Sequence, residues 1–450
     1  MTKSEYMNIL KERLSRFSQE LQDEILEDYN RHFAEGEKQG KSEEEIIQEL
    51  GNIEEMIREL MEMDADTGQD TDISQEAEDQ PGSTDEEQSY SYDCGYRAVE
   101  LDGNVADIVL EQSDDGRIYV DYKNNMSLKY RMLYSFYQRE ENGVFYAGVK
   151  VRETQKKINF LGRTVTVRGS IFSGKYNSIL LSVKVPAGLP GLSFHTTSGD
   201  VQVNDIKVGS LRGKTKSGDI EIEAAESEKI DLSAHSGDLA LNDAKARDVK
   251  MITTSGDVRI SALRAEKLYA MTSSGDIEME GDTEVKEGEL ITSSGDIDAE
   301  EGYVTDTLSC TTTSGDIEVK SGGRFLQCNS TSGDIEADFI GPIHKEAGTD
   351  GVKRILQCNT TSGDIEANTS GTAIQADLNT VSGSVQLDMD LARGMEANVN
   401  TMSGEIEITW QGNSQNVGKG RHCYGDNSNK VNVNTVSGDI EIDGRGPDVG

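Results

Sequence analysis

The 450-residue chain has 44 basic groups against 83 acidic ones, a formal net charge of −39. A chain so short of lysine and arginine lacks the basic footprint that sequence-independent nucleic-acid binding requires, so direct contact with nucleic acid is not expected. Aromatic residues make up only 6% of it and there are five prolines, against 46 glycines. That balance suits strands and corners. The cysteines number five, an odd count, and none forms a Cys-x-x-Cys; with five unclustered histidines there is no metal-ligand spacing, and no cofactor is expected. Long apolar runs are also missing. The N-terminus, MTKSEYMNILKERL, has no apolar stretch of the signal-peptide kind, and no run approaches the roughly 20 apolar residues needed to cross a bilayer. The expectation is a cytoplasmic protein, with surface association by a route without a signal peptide as the alternative.

What the chain has in plenty is Ser-Gly-Asp. With the variants Ser382-Gly383-Ser384 and Ser403-Gly404-Glu405 there are twelve copies, centred on Gly199, Gly218, Gly237, Gly256, Gly275, Gly295, Gly315, Gly333, Gly363, Gly383, Gly404 and Gly438. Successive spacings are 18 to 21 residues, apart from two of 30 and 34. A period near 20 marks a solenoid whose repeats bury their apolar sides only by stacking. Two and four residues after each glycine the columns are apolar, as in Val201 and Val203 or Ile220 and Ile222. Before it the apolar columns lie five and seven back, as in Ile230 and Leu232, and three back is almost always Thr. Alternation of period two means strands with one buried face. The buried phase changes across Ser-Gly, and a corner or bulge with glycine at positive φ would change it. The fold expected is mainly β, a parallel β-helix of about 20 residues per coil. Right-handed crossovers are favoured, but the residues do not decide the hand.

A serine beside an aspartate invites a hydrolase reading. Twelve near-identical copies speak against it, because catalysis needs one singular constellation with a base, and no histidine recurs beside the motif. The chain is not expected to be an enzyme. Cys310, Cys328 and Cys358 all stand five before their glycine, in the column that elsewhere holds Leu232, Met251 and Leu290, so they read as core.

In chain order, residues 1–62 read as a small all-α domain. Tyr6, Ile9, Leu10, Leu14 and Phe17 form one apolar stripe; Leu21, Ile25, Leu26, Tyr29 and Phe33 form a second; Ser42-Glu43-Glu44-Glu45 is a capping box, and Gly51 a stop. Residues 63–89 carry many acids and one large aliphatic, Ile73, and read as a disordered acidic linker. Residues 90–193 are β-rich but off the beat, with candidate strands at 98–101, 106–111, 117–122, 144–151, 164–168 and 179–185. This stretch holds most of the aromatics. It reads either as the cap that closes an open solenoid core or as a binding surface for a membrane or acidic partner. Residues 194–444 are the repeats and 445–450 a tail. Two insertions, within 339–354 and 410–430, are expected to protrude from one edge of the helix.

The segments YMNILKERL, LQDEILEDYNRHFAEG and GKSEEEIIQELGNIEEM resemble the HAAS domain, the helix-turn-helix-associated α-helical signalling domain of bacteria. That resemblance implies a cytoplasmic signalling module docking a protein partner, a PadR-like regulator being the type. SVKVPAGLPGLSFHTTSGDVQV followed by serial TSGDI units resembles the bacterial putative-adhesin family of β-strand repeats, over residues 90–443. Relatives of that type occur in cell-envelope stress systems, and no catalytic residues belong to the pattern. Together the resemblances imply a signalling or regulatory scaffold of envelope stress. The alternative is a surface adhesin that binds a ligand through the solenoid face or loops.

One and three residues after glycine, two outward columns are acidic: Asp276 and Glu278, Asp296 and Asp298, Asp316 and Glu318, Asp334 and Glu336, Asp364 and Glu366. Like charges opposed across strands are destabilising. Three readings stand. The first Asp bonds backbone at the corner; the columns keep the molecule soluble and guard sheet edges; or they form a face for cations or cationic peptides.

Overall fold

The computed structural model describes residues 3–14, 26, 33, 43, 86–93, 95–126, 131, 133–152, 159–160, 163–164, 178–340, 353–370, 373–390 and 394–445. They fall into two units. In the first, the helix Lys3–Leu14 buries Tyr6, Leu10 and Leu14 at successive four-residue steps, the spacing that puts side chains on one helix face. Tyr6 meets the buried Phe33 edge-on, with ring centroids 6.1 Å apart. Ile9, placed in the same stripe by the sequence, is 39% exposed, because it lies off the Tyr6–Leu10–Leu14 line. The stretches expected to form the other helices lie almost wholly outside the described residues, as does most of the expected linker. The same unit holds a two-stranded hairpin, Asn159–Phe160 with Arg163–Thr164.

The second unit is the solenoid, and one coil shows how it is made. After Gly199 comes the strand Val201–Asn204, then Asp205 at φ 46°, then the long strand Ile206–Lys214, then the next Ser-Gly-Asp. Along the long strand the buried residues are Ile206 and Val208, then Leu211 and Gly213, so the inward face changes midway. Each strand pairs in parallel with its equivalent one coil on: Val201 with Ile220, Leu211 with Ile230, Ile317 with Ile335. The columns two and four after glycine are buried along the stack, and burying each such aliphatic side chain stabilises by about 1.5–3 kcal/mol. Cys310, Cys328 and Cys358 lie in neighbouring registers, fully buried and unpaired. Hydrogen bonding among the three thiols, then burial, pushes the Cys328 thiol well up.

Sequence order is not stacking order at either end. The strands at 98–104 and 107–113 pair on one side with Leu192–Thr196 and Val201–Asn204, and on the other with Val144–Val151 and Ile179–Pro186. Coil 98–113 is therefore not outermost: later chain covers it, and beyond Ile179–Pro186 lies Ile118–Asn124. Glu86–Tyr92 is a strand as well, paired with Ile118–Asn124, so the last four residues of the expected linker are ordered. Tyr92 supplies the reason, packing on Phe145 at 4.7 Å between ring centroids. Tyr122 and Phe145 are buried at this end of the core, as a cap requires.

The other end repeats the device. Asn429–Asn434 and Ile440–Arg445 lie between the coil 374–390 and the coil 394–410: Val385 and Ile406 both register with Ile440. The insertion at 410–430 does not protrude as expected. It forms Asn413–Asn416 and Gly420–Gly425, which run antiparallel along the outermost strands Ile406–Trp410 and Gly394–Asn400. They cover that edge, an open row of backbone groups that would otherwise invite pairing. The middle of the other insertion lies outside the described residues. Its flank Arg354 is buried, donates to the carbonyls of Gly323, Ser370 and Ile340, and sits 3.9 Å over the Phe339 ring.

Candidate functional site: the corner ridge and its acidic face

The Ser-Gly-Asp corners stack into a ridge along the solenoid. Their glycines do not adopt positive φ, contrary to the sequence expectation; left-handed backbone lies six residues later, at Asp205, Asp243, Ala262 and Gly281. Glycine is required for space. A Cβ at Gly315 would lie 1.9 Å from the carbonyl oxygen of Gly295, and one at Gly218 or Gly256 would lie 2.0 Å from the glycine oxygen before it.

The threonine three before glycine locks this close approach. Thr272 Oγ1 accepts from the Gly275 N–H at 3.2 Å and donates to the Gly256 carbonyl of the preceding coil at 2.8 Å. Thr253, Thr292, Thr312, Thr360 and Thr380 make the same inter-coil bond at 2.9 Å, and Ser330 at 3.0 Å. The sequence displayed this column, yet its bridging role becomes visible only with the corners stacked.

The first acidic column is a hydrogen-bond ladder. The N–H of each Asp donates to Oδ1 of the Asp one coil before: Asp296 to Asp276 and Asp316 to Asp296 at 2.8 Å, Asp334 to Asp316 and Asp364 to Asp334 at 2.7 Å. It opens at Asp107, which receives the Asp200 N–H at 3.0 Å, and runs on through Ser384, Asp439 and Glu405 in stacking order. Burial raises the Asp107 carboxyl above its ordinary value, partly offset by that bond. Such charge-assisted bonds to backbone N–H are the strong kind and answer the repulsion between carboxylates. Of the three readings, backbone bonding describes this column.

The second column differs. Glu278, Asp298, Glu318, Glu336 and Glu366 are consecutive register neighbours, five rungs spanning roughly 19 Å at strand spacing. Burial first, then the surrounding carboxylates, raises the Glu318 and Glu336 carboxyls. Two ladders on the long strands are built differently. Lys207, Glu226 and Lys245 alternate in sign, as do Lys229, Asp248, Lys267 and Glu287. Arg259 stands at the head of the acidic strip, bonding Asp238, Asp257 and Glu278 at 3.4, 2.7 and 3.1 Å. Past Glu366 the ridge turns apolar. The residue two before glycine is polar in nine coils, from Thr197 to Thr361, and then Val381, Val436 and Met402, exposed by 44, 43 and 75%, stand in adjacent coils. Sequence order hid this patch, because 436 stacks between 381 and 402.

A parallel solenoid built from stacked Ser-Gly-Asp coils defines a class of repeat fold. The chain belongs to the Toastrack DUF4097 family, whose model matches residues 96–351 and 343–443. The HAAS family model matches residues 5–59. Among solved structures the chain is similar to a putative lipid-binding protein from Parabacteroides distasonis, at 15% identity and TM-score 0.34, covering 68% of this chain and 97% of that one. It is also similar to a putative adhesin from Bacteroides fragilis, at 14% identity and TM-score 0.22, covering 81% of this chain and all of the other. A putative adhesin from Parabacteroides merdae, at 13% identity and TM-score 0.32, covers 67% and 95%. No curated protein matches the chain at a significant level.

Proposed function

We propose that the chain is a non-enzymatic bacterial scaffold of the cell-envelope stress response. Its HAAS domain docks a cytoplasmic protein partner of the PadR-like regulator type, and its solenoid is the sensor. The sensing surface is the strip Glu278–Asp298–Glu318–Glu336–Glu366, and the ligand class is a cationic, amphipathic peptide. The observation that carries this reading is the uninterrupted stacking of five carboxylates whose side chains stand outside the Asp backbone ladder, where the ladders 207–226–245 and 229–248–267–287 alternate in sign. The apolar patch of Val381, Val436 and Met402 supports it, offering a place for the apolar side of such a peptide.

The test is titration of a fluorescent cationic peptide against the parent and a variant carrying Glu278→Gln, Asp298→Asn, Glu318→Gln, Glu336→Gln and Glu366→Gln. Binding by the parent should weaken as salt rises, because the Debye length falls from about 10 Å at 0.1 M to about 3 Å at 1 M. The folded variant should bind more weakly. Equal binding by the two would end this assignment. Fractionation of cells into cytosolic, membrane and surface pools separates this scaffold from a surface adhesin.

A further inference from the structure

The coil 429–445 occupies a slot whose two walls are earlier in sequence than itself. It is held by ordinary inter-coil bonds on both sides. Val385 N–H donates to Asp439 O and Ile440 N–H to Glu405 O, each at 2.9 Å; Thr380 N–H donates to Asn434 O at 3.0 Å and Thr435 N–H to Asn400 O at 2.9 Å. The corner chemistry is the same too. Thr435 Oγ1 donates to Gly383 O at 2.9 Å, and Thr401 Oγ1 to Gly438 O at 3.0 Å. A Cβ at Gly438 would lie 2.0 Å from Gly383 O, so the slot admits only a coil with glycine at the corner. Asn429, fully buried, pins the entry: its Nδ2 donates to Gly394 O at 2.8 Å and its Oδ1 accepts from Ile374 N–H at 2.9 Å.

Nothing in these bonds depends on which molecule supplies the coil. The walls are joined to each other directly, whereas the insert reaches the slot only through residues 411–428. That tether lies along the outer face in strands whose side chains are exposed or half-buried, and extended it would span roughly 60 Å. We propose that the slot between coils 374–390 and 394–410 also takes coil 429–445 of a second copy, so that two chains join by reciprocal exchange. The partner is this same chain, because the slot recognises Thr, Ser-Gly and an acid at fixed offsets and the second copy carries that coil on an equal tether. Exchange of an identical element is a low-cost route to a closed dimer.

The test uses full-length chains in a Cys423→Ser background, one bearing Asn379→Cys and the other Asn434→Cys. These side chains are neighbours, Asn434 Nδ2 donating to Asn379 Oδ1 at 2.9 Å. The two are mixed at high concentration, held in denaturant just below the unfolding midpoint, returned to buffer and treated with a short bis-maleimide. Exchange predicts a covalent dimer linked between 379 and 434, rising with concentration. Asn429→Ala, which removes two bonds, should raise the exchange rate ~10-fold or more. The double variant in one chain shows that the reagent reaches across the pair. If it cross-links internally while the mixture yields no 379–434 dimer, the proposal is overturned. Light scattering of the unlabelled parent after the same treatment decides independently: a dimer that survives dilution supports exchange, and monomer at every concentration overturns it.

Discussion

Replacing Gly315 by alanine tests what the corner is for. The new Cβ would lie 1.9 Å from Gly295 O and 2.8 Å from Asp296 Oδ1. A carbon normally stays about 3.3 Å from a carbonyl oxygen, so the coils must part locally by roughly 1.4 Å. Three bonds cross that gap: Ser314 N–H to Ser293 O at 3.1 Å, Thr312 Oγ1 to Gly295 O at 2.9 Å, and Asp316 N–H to Asp296 Oδ1 at 2.8 Å. At about 1 kcal/mol each, their loss costs ~3 kcal/mol. Gly412 is the control, at φ 73° with nothing within 4 Å of an added Cβ, where alanine brings only backbone strain of roughly 1 kcal/mol. Asparagine tolerates left-handed backbone but fills the same space, so Gly315→Asn should be no better than Gly315→Ala. Urea denaturation followed by circular dichroism gives the ranking. Should Gly315→Ala cost no more than Gly412→Ala, or Asn rescue stability, the close-approach account is wrong.

Three further outcomes follow from the ridge and core. Asp316→Asn keeps the acceptor for the Asp334 N–H and should stay near parental stability, whereas Asp316→Ala removes it and should cost about 1–2 kcal/mol in the same denaturation assay. The Glu318 and Glu336 carboxyls are raised in the folded state, so over the pH range just above the ordinary glutamate value the folded chain binds more protons than the unfolded one. These two groups therefore make stability fall as pH rises through that range; the denaturation midpoint should be higher near pH 5 than at pH 7, with a smaller difference in Glu318→Gln/Glu336→Gln. Cys310, Cys328 and Cys358 should react with a thiol reagent only on unfolding while the exposed Cys423 reacts promptly, and prompt labelling of the three would contradict their burial.

Much of the solenoid could be read from the sequence, because a coil that buries side chains only against its neighbours must repeat them. The Val201–Ile220–Leu239 column and the cysteine column were visible on those grounds and occupy the core. What spacing does not encode is the reason for a residue. Glycine serves positive φ and close approach alike, and only the distance from Gly315 to Gly295 O separates them. The left-handed corner did leave a trace, in Asp205, Asp243 and Gly281, residue types that tolerate that backbone. Coil 98–113, in the stretch that reads as atypical β coils, falls off the repeat beat because Ala106 and Asp107 stand where Gly-Asp would be. Stacking order was illegible for a physical reason: equivalent coils offer equivalent edges, so nothing local distinguishes coil 429–445 after coil 374–390 from coil 394–410 there. The two acidic columns look alike on the page. They part only when Asp Oδ1 is seen to hold a backbone N–H while the Glu side chains stand outside that ladder.

The tucked coils alter how the solenoid answers a pull. An array stacked in sequence order can be peeled from its end, one coil at a time, each step freeing about 65 Å of chain. Here a load applied at residue 445 acts on strands wedged between 374–390 and 394–410, and two ladders must shear together before any chain is released. At the far end, coil 98–113 is wedged in the same way beneath strands 144–151 and 179–186. The C-terminal margin is thus seamed against unravelling, while at the far end the seam lies inside the edge strand Glu86–Tyr92, which pairs with Ile118–Asn124.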